Sequence, residues 1–274
     1  MNSKIAVILP VYKNDKVKYL SLAIESILYQ TYRDIHVFIG VDGPVGDELH
    51  KSLELLEQQT QVSVEWYPEN RGLACVLNDL LDICFKEGYE YIARMDADDI
   101  SKTDRFENQM AFLEGHNDVD VVGGSVLVID KDGKDKGQVL IYPETHEGCV
   151  KRFAKRNPLA HPAVLFRKRY FDKAGCKYRP DYKKNQDTLL WYDGLMKGVR
   201  MGNVQDVVLK FRSTDDMIKK RRSGKDAAKR QLSARLMINK GLGYGLYSDL
   251  YAYAIYLLMI SPAFIRKIVY AKQK

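Results

Sequence analysis

The chain has 274 residues, enough for one large or two small domains, and its 46% hydrophobic content suits a globular protein with a real core. Its four cysteines have no CxxC spacing, so we expect reduced thiols of a cytosolic protein and no zinc site. We expect no cleavable signal peptide either, because the first apolar stretch, Ile5–Leu9, is too short for one.

The net charge of +7 is unevenly distributed along the chain. Residues 210–274 carry 15 Lys and Arg against 4 Asp and Glu, whereas the first 209 residues carry 28 against 32. A basic C-terminal segment on a mildly acidic body indicates contact with a polyanion, for which anionic lipid headgroups and nucleic acid are the two candidates.

The first 125 residues alternate between strand and helix patterns, which predicts an α/β fold with a mostly parallel central sheet flanked by helices. The predicted strands are Lys4–Val11, Ile35–Asp42, Val62–Tyr67, Tyr89–Met95 and Val119–Ile129. The predicted helices are Lys16–Gln30, Gly46–Thr60, Gly72–Lys86 and Thr103–Gly115.

The pattern changes after residue 125, and we divide the chain there. Residues 1–125 are predicted to form the first half of a domain that extends to residue 215, residues 126–215 its second half, and residues 216–274 a helical extension. In chain order the later elements are a hairpin turn at Lys131–Lys134, a loop at Asn157–Pro162, a strand at Ala163–Arg167, a helix at Asp187–Lys197, a strand at Val207–Phe211 and helical stretches at Met217–Lys240 and Tyr244–Lys274.

Asp96 and Asp98 follow the fourth predicted strand, in the run Arg94–Asp99. Side chains two apart on an extended chain share a direction, so both carboxylates are expected on one side of the strand end. Carboxylates suit Mg²⁺, which is usually held by one or two of them together with phosphates of a substrate. An isolated pair of this kind is more often a solvated acidic loop, but other polar strand ends support a metal–diphosphate site.

Polar residues also follow the first three predicted strands, and ligands of parallel sheets bind at the carboxyl ends of strands. Pro10 and Tyr12 close the first strand, and Tyr12 is suited to stack on a base. Asp42 closes the second strand and is suited to accept hydrogen bonds from a base or ribose. Arg71 precedes the helix that begins at Gly72, where free N–H groups favour phosphate.

These motifs, taken together and in this order, resemble family 2 inverting glycosyltransferases of the GT-A fold, in particular the bacterial amylovoran-type branch that builds capsules and exopolysaccharides. The resemblance covers roughly residues 3 to 215. It implies a glycosyltransferase domain over residues 1–215, with a nucleotide-binding half at 1–125 and an acceptor half at 126–215. The motifs that carry it are PVY (Pro10–Tyr12), VDGP (Val41–Pro44), NRGL (Asn70–Leu73), RMDADD (Arg94–Asp99), HPAVLFRK (His161–Lys168) and NQDTLLW (Asn185–Trp191).

The resemblance implies a function and a set of roles. Tyr12 and Asp42 correspond to the nucleotide site, usually for UDP, and Asp96 and Asp98 to the ligands of Mn²⁺ or Mg²⁺ on the diphosphate. Asp187 corresponds to the catalytic base. The family usually has Glu before this Asp where this chain has a glutamine, Gln186, which removes an acidic neighbour and leaves the base in place. The implied partners are a UDP-sugar donor and a glycan or lipid-linked acceptor.

Five further residues are weaker candidates. Asp99 is expected to touch the metal through water or the sugar hydroxyls, and His161 to line the acceptor pocket together with Gln186. Arg212 is expected to reach the phosphates from the far side of the site. Trp191 is a candidate sugar platform, although a core position suits it better.

The Tyr-rich C-terminal stretch includes 16 uncharged residues, Leu250–Ile265, fewer than the about 20 needed to span a bilayer. Tyrosine favours the membrane–water boundary, and basic residues flank the stretch. We therefore expect an interface-lying segment on the cytoplasmic face of the plasma membrane. The alternatives are packing on the domain, packing on a second subunit, and a full span; the oligomeric state stays open.

Two other functions compete with sugar transfer. A nucleotidyltransferase predicts a glycine-rich phosphate loop after the first strand, where this chain has Val11–Asp15 without glycine. A non-enzymatic binder of nucleic acid or lipid leaves the acidic strand ends unexplained, because they would repel phosphate. We therefore expect no nucleic-acid partner.

Overall fold

The computed structural model describes residues 4–182, 184–213 and 225–262. In chain order its strands are β1 (Ile5–Val11), β2 (Ile35–Asp42), β3 (Val62–Tyr67), β4 (Tyr91–Arg94), β5 (Ile100–Ser101), β6 (Val121–Ile129), β7 (Asp135–Leu140), β8 (Leu165–Arg167) and β9 (Met201–Arg212). The α-helices are α1 (Val17–Leu28), α2 (Asp47–Glu57), α3 (Leu73–Lys86), α4 (Arg105–Gly115), α5 (His146–Phe153), α6 (Arg169–Ala174), α7 (Gln186–Met196), α8 (Lys225–Gly241) and α9 (Leu246–Ile260), and a 3₁₀ turn covers His161–Ala163.

The strands form one sheet in the order β3-β2-β1-β4-β8-β6-β9-β5, with β7 paired to β6. The longest pairings are parallel: β1 with β2 and β4, β2 with β3, and β6 with β9. The short strand β8 runs antiparallel to both β4 and β6. This topology confirms the predicted α/β fold with a mostly parallel central sheet.

Both faces of the sheet are covered, which explains the continuous apolar run of β1. Ile5 and Val7 point into a core formed with α1, α2 and α4, whereas Ala6 and Ile8 point into a second core formed with α3, α5, α6 and α7. All four side chains have no exposed surface. Burial of the strands on both sides leaves their carboxyl ends as the polar edge of the sheet.

The observed bounds of two strands differ from the predicted ones, because pairing with distant strands decides where these strands begin and end. β4 ends at Arg94, so Asp96 and Asp98 lie in a turn rather than on an extended strand, because the chain reverses to pair β5 with β9. β9 is longer than the predicted strand Val207–Phe211, since it pairs with β6 along its length through a register shift at Ser125. The sequence does not predict the short elements β5, α5 and α6, because each has too few residues for a clear periodic pattern.

The predicted helical stretches Met217–Lys240 and Tyr244–Lys274 fall partly outside the described ranges, which omit residues 214–224 and 263–274. α8 packs on the body through Ile238, which is 1% exposed and joins the second core. α9 leaves Leu246, Leu250 and Leu257 more than half exposed. Across the three described ranges, every helix is too short or too polar to cross a bilayer.

Candidate functional site

Two cavities open at the carboxyl ends of β1, β2 and β4, and Asp96 lines both of them. The smaller, of about 370 Å³, is lined by Pro10, Tyr12, Asp15, Asp42, Asp96 and Asp98, among others. The larger, of about 690 Å³, is lined by Arg71, Arg94, Asp96, Asn157, His161, Gln186 and Asp187, among others. The structure therefore brings together most of the residues that the motifs singled out.

The acidic turn after β4 is the densest charge cluster of the site. One carboxylate oxygen each from Asp96, Asp98 and Asp99 lies within 4.8 Å of the others. Burial, and next the charge of Asp96, raises the pKa of Asp98 to about 6. The same causes raise the pKa of Asp99, which is fully buried and whose Oδ2 has no hydrogen-bond partner among the described residues.

A divalent cation fits this turn. Three clustered carboxylates are the hard oxygen donors that Mg²⁺ and Mn²⁺ take. The orphaned Oδ2 of Asp99 has acceptor capacity that a cation or its water ligands would satisfy. Arg94 already pairs with Asp96, through a 2.5 Å contact from Nη2 to Oδ1, and so balances part of the negative charge.

Arg212 lies behind this turn and braces it. The Arg212 side chain donates from Nε to the carbonyl of Asp98 at 2.7 Å, and from Nη1 to the carbonyls of Asp130 and Lys131 at 3.0 and 3.1 Å. Its backbone N–H donates to Oδ1 of Asp99 at 2.7 Å. Arg212 is only 1% exposed. Nε and Nη1 thus hold the turn through carbonyls, whereas Nη2 has no hydrogen-bond partner among the described residues. A phosphate contact by Arg212 stays a prediction.

Asp42 organises the loop before α3. Its Oδ1 and Oδ2 accept hydrogen bonds from the backbone N–H groups of Arg71 and Gly72, at 2.7 and 2.9 Å. Gly72 has a φ of +89°, a conformation that favours glycine. The Arg71 side chain lies over the ring of Tyr67 and pairs with Asp79. A phosphate contact by Arg71 therefore stays a prediction.

Asp15 is a residue of the smaller cavity that the sequence motifs do not include. Its Oδ2 accepts a hydrogen bond from the backbone N–H of Tyr12 at 2.9 Å, whereas the Tyr12 ring is 42% exposed. Burial raises the pKa of Asp15 to about 7, and the charges of Asp98 and Asp96 add to the shift. Asp15 lies in a polar loop without periodic pattern, so nothing in the sequence separates it from surface residues.

Asp187 lies in the first turn of α7, across the larger cavity from the acidic turn. The N-cap of α7 is Asn185, so Asp187 is not itself the cap. Its Oδ1 accepts from the backbone N–H of Thr188 and its Oδ2 from the Nδ2 of Asn157, both at 2.7 Å. In the sequence, Asn157 marks only the start of a loop, and no motif gives it a role.

His161 lines the larger cavity, and Trp191 packs behind it. His161 is 9% exposed, and its Nε2 lies 2.7 Å from the hydroxyl of Tyr178. Burial, and next the charge of Arg94, lowers the pKa of His161 well below its usual range. Trp191 has no exposed surface and packs against Phe166. Trp191 is therefore a core residue, and its candidate role as a sugar platform is wrong, because a buried indole cannot contact a sugar.

Comparisons with known proteins agree with this geometry. The model of the family described as "Glycosyl transferase family 2" matches residues 6–175. The amylovoran biosynthesis glycosyltransferase AmsE of Erwinia amylovora is 30% identical over 218 residues, 79% of each chain. An Escherichia coli UDP-Gal:alpha-D-GlcNAc-diphosphoundecaprenol beta-1,3-galactosyltransferase is 29% identical over 218 residues, 80% of this chain and 77% of its own.

Among solved structures, S. aureus TarS 1–349 in complex with UDP-GlcNAc superimposes with a TM-score of 0.65 at 16% identity, covering 94% of this chain and 71% of that one. That likeness is one of fold. The matched family model covers most of the site, from β1 through the acidic turn to His161. The chain is a glycosyltransferase and belongs to glycosyl transferase family 2.

Proposed function

We propose that this glycosyltransferase moves a sugar from a UDP-sugar to an acceptor hydroxyl with inversion, with the help of a divalent cation. The observation that carries the proposal is the cavity of about 690 Å³ lined by both Asp96 and Asp187. Asp96, from an acidic cluster suited to a metal, and a separate carboxylate, Asp187, face one space large enough for a sugar. The UDP-GlcNAc complex of TarS supports a UDP-sugar as donor.

The position of each side chain supports the role that we propose for it. Pro10, Tyr12 and Asp42 lie at the smaller cavity and bind the nucleoside. Asp98, with Asp96 and Asp99, holds Mn²⁺ or Mg²⁺, which when bound neutralises charge on the departing diphosphate.

The transfer itself is a single displacement at the anomeric carbon. Asp187 takes the proton of the acceptor hydroxyl, and the acceptor oxygen forms its bond to the anomeric carbon. The bond from that carbon to the phosphate oxygen breaks, and its electron pair leaves with UDP. Attack opposite the leaving group inverts the anomeric configuration.

The acceptor is proposed to be a lipid-linked glycan in cell-surface polysaccharide assembly. The E. coli relative is named for a diphosphoundecaprenol substrate, and the Erwinia relative for amylovoran biosynthesis. The exposed Leu246, Tyr247, Leu250 and Leu257 of α9 form an apolar surface suited to the cytoplasmic face of the plasma membrane. Docking there would bring the site to a membrane-bound acceptor.

A donor screen tests the proposal. The release of UDP from UDP-glucose, UDP-galactose and UDP-GlcNAc is measured with Mn²⁺ and with EDTA, with and without membrane extract as acceptor. We expect release from one donor with Mn²⁺ and none with EDTA. Release from none of them, or an undiminished rate in EDTA, would contradict the proposed donor class or the metal.

Two variants distinguish the proposed metal ligand from the proposed base. Asp98→Asn is expected to abolish turnover and to weaken Mn²⁺-dependent binding of UDP, because it removes a charged ligand.

Asp187→Asn is expected to lower turnover by about a thousandfold while UDP still binds, because a general base contributes about 10²–10⁴ in rate. Normal turnover by Asp187→Asn would place the base elsewhere.

A further inference from the structure

The carboxylate of Asp187 is held at both oxygens. The Nδ2 of Asn157 donates to Oδ2 and the backbone N–H of Thr188 donates to Oδ1, each at 2.7 Å. Asn157 comes from the loop after α5, 30 positions earlier in the chain. Asn157, Asp187 and Thr188 all line the larger cavity. The carboxylate therefore has a fixed orientation at the cavity wall.

Asn157 is itself fixed by two neighbours. The hydroxyl of Thr188 lies 2.9 Å from Oδ1 of Asn157 and 3.3 Å from Oδ1 of Asp187, and its one proton goes to the nearer oxygen. That bond turns the amide of Asn157 so that its NH₂ group faces Asp187. The Nε of Arg152 donates to the backbone carbonyl of Asn157 at 3.1 Å and holds the loop.

We propose that Asn157 and Thr188 are positioning residues that aim the Asp187 carboxylate and keep it ready to accept the acceptor's proton. The inference rests on the proposed function, in which Asp187 is the base. A hydrogen bond donated to a carboxylate favours its charged form, and a misplacement of a reacting group by about 1 Å can cost on the order of 10²-fold in rate. Thr188 acts through Asn157, so its hydroxyl has the smaller effect.

Other charged or titratable groups also face Asp187. Tyr142 precedes α5, Tyr178 lies on the loop after α6, and Arg235 projects from α8; the charge of Asp187 acts on all three. Lys184 lines the same cavity. These groups are unchanged in the variants below, so a difference between variants reports on Asn157 and Thr188.

The test compares Asn157→Ala with Asn157→Asp. The probe is release of UDP from the active UDP-sugar of the donor screen, followed from pH 5.5 to 9 with Mn²⁺, and UDP binding reports on folding. We expect Asn157→Ala to lower kcat 10- to 100-fold with the donor KM unchanged, and to lower it most at acidic pH, because the carboxylate loses a donor that favours its charged form. Asn157→Asp places two carboxyls in contact, which cannot both ionise. Its acidic limb therefore moves to higher pH by at least about one unit, and activity returns in alkali.

Thr188 and an unrelated asparagine provide the matched variants. Thr188→Val keeps the shape and loses the hydroxyl, so we expect a three- to tenfold loss of kcat, most of which Thr188→Ser recovers. Asn117→Ala changes an exposed asparagine outside both cavities and is expected to match the wild type. A wild-type kcat and an unmoved acidic limb in both Asn157 variants, with Asp187→Asn inactive, would overturn the inference alone. Normal turnover by Asp187→Asn would instead overturn the proposed base, and the inference with it.

Discussion

At the scale of single residues, the site concentrates buried carboxyl groups that water does not stabilise. Burial is the largest cause of the raised pKa values of Asp15, Asp98 and Asp99, and the charge of Asp96 adds to each of them. A bound divalent cation reverses this balance, because it favours the ionised form of its ligands. The acidic cluster therefore costs stability near neutral pH unless a cation offsets it.

Asp15→Asn tests this cost through pH. The pKa of Asp15 rises from 3.8 to about 7 on folding, so its favourable contribution is present at acidic pH and is lost as pH rises through about 7. An asparagine cannot ionise. We expect the Tm of Asp15→Asn in EDTA to exceed that of the wild type by an amount that grows from about pH 5 to about pH 7 and then levels off.

Calorimetry or dye-based melting measures the effect. Asp34→Asn, at an exposed position, serves as the matched control and is expected to show no such growth. A constant difference in Tm between Asp15→Asn and the wild type across this pH range would mean that Asp15 titrates normally.

At the scale of elements, the acidic turn owes its shape to strands far from it in sequence. β5 pairs with β9, and Arg212 at the end of β9 reaches the carbonyl of Asp98, 114 positions earlier. Arg212 also lies over the ring of Tyr19 of α1, 4.2 Å from its centroid. One buried guanidinium thus links α1, the hairpin loop between β6 and β7, and the turn that carries the proposed metal ligands.

Arg212→Lys tests this link. Lysine keeps the charge but lacks the planar fork that donates to three carbonyls at once. We expect Mn²⁺ affinity in the presence of UDP to fall about 10- to 100-fold, as when an outer partner of a metal site is removed. Isothermal titration measures it, and Arg71→Lys is the comparison for a contact with the phosphate itself. Unchanged Mn²⁺ affinity in Arg212→Lys would show that the turn holds its shape without the brace.

At the scale of the whole molecule, the C-terminal part of the chain differs from the rest in its charge and in the exposed apolar side chains of α9. The basic residues concentrate after residue 209, and α9 presents exposed leucines. The ammonium of Lys155 lies over the rings of Tyr247 and Tyr251, so a positive charge lies next to these tyrosines of α9. Exposed apolar and aromatic side chains beside cations suit an anionic lipid surface.

The double substitution Leu250→Glu with Leu257→Glu tests membrane docking. The two leucines are 58% and 60% exposed, so the fold tolerates the change. We expect binding to vesicles containing phosphatidylglycerol to weaken at least about tenfold, because apolar contact is lost and two negative charges are added. Co-sedimentation measures binding. Leu55→Glu on α2, 64% exposed, is the matched control. Equal sedimentation of wild type and double variant would assign α9 another role.

The sequence by itself determined the alternation of elements and the polar residues at the strand ends. These follow from local spacing and from the rule that parallel strands share one carboxyl edge, so the order of strands and helices along the chain is enough to group Asp42, Asp96 and Asp98. Hydrophobic runs such as β1 predict burial on both faces for the same local reason.

Only the tertiary structure decided what each polar side chain contacts. Arg212 donates to a carbonyl of the acidic turn, Trp191 lies in the core, and Asn157 reaches Asp187. Asp15 gains its raised pKa from burial beside Asp96 and Asp98. The two contacts join groups 30 or more positions apart, and the pKa of Asp15 depends on burial by distant elements. Local spacing predicts which segments are buried, but it does not predict which side chains from distant segments meet.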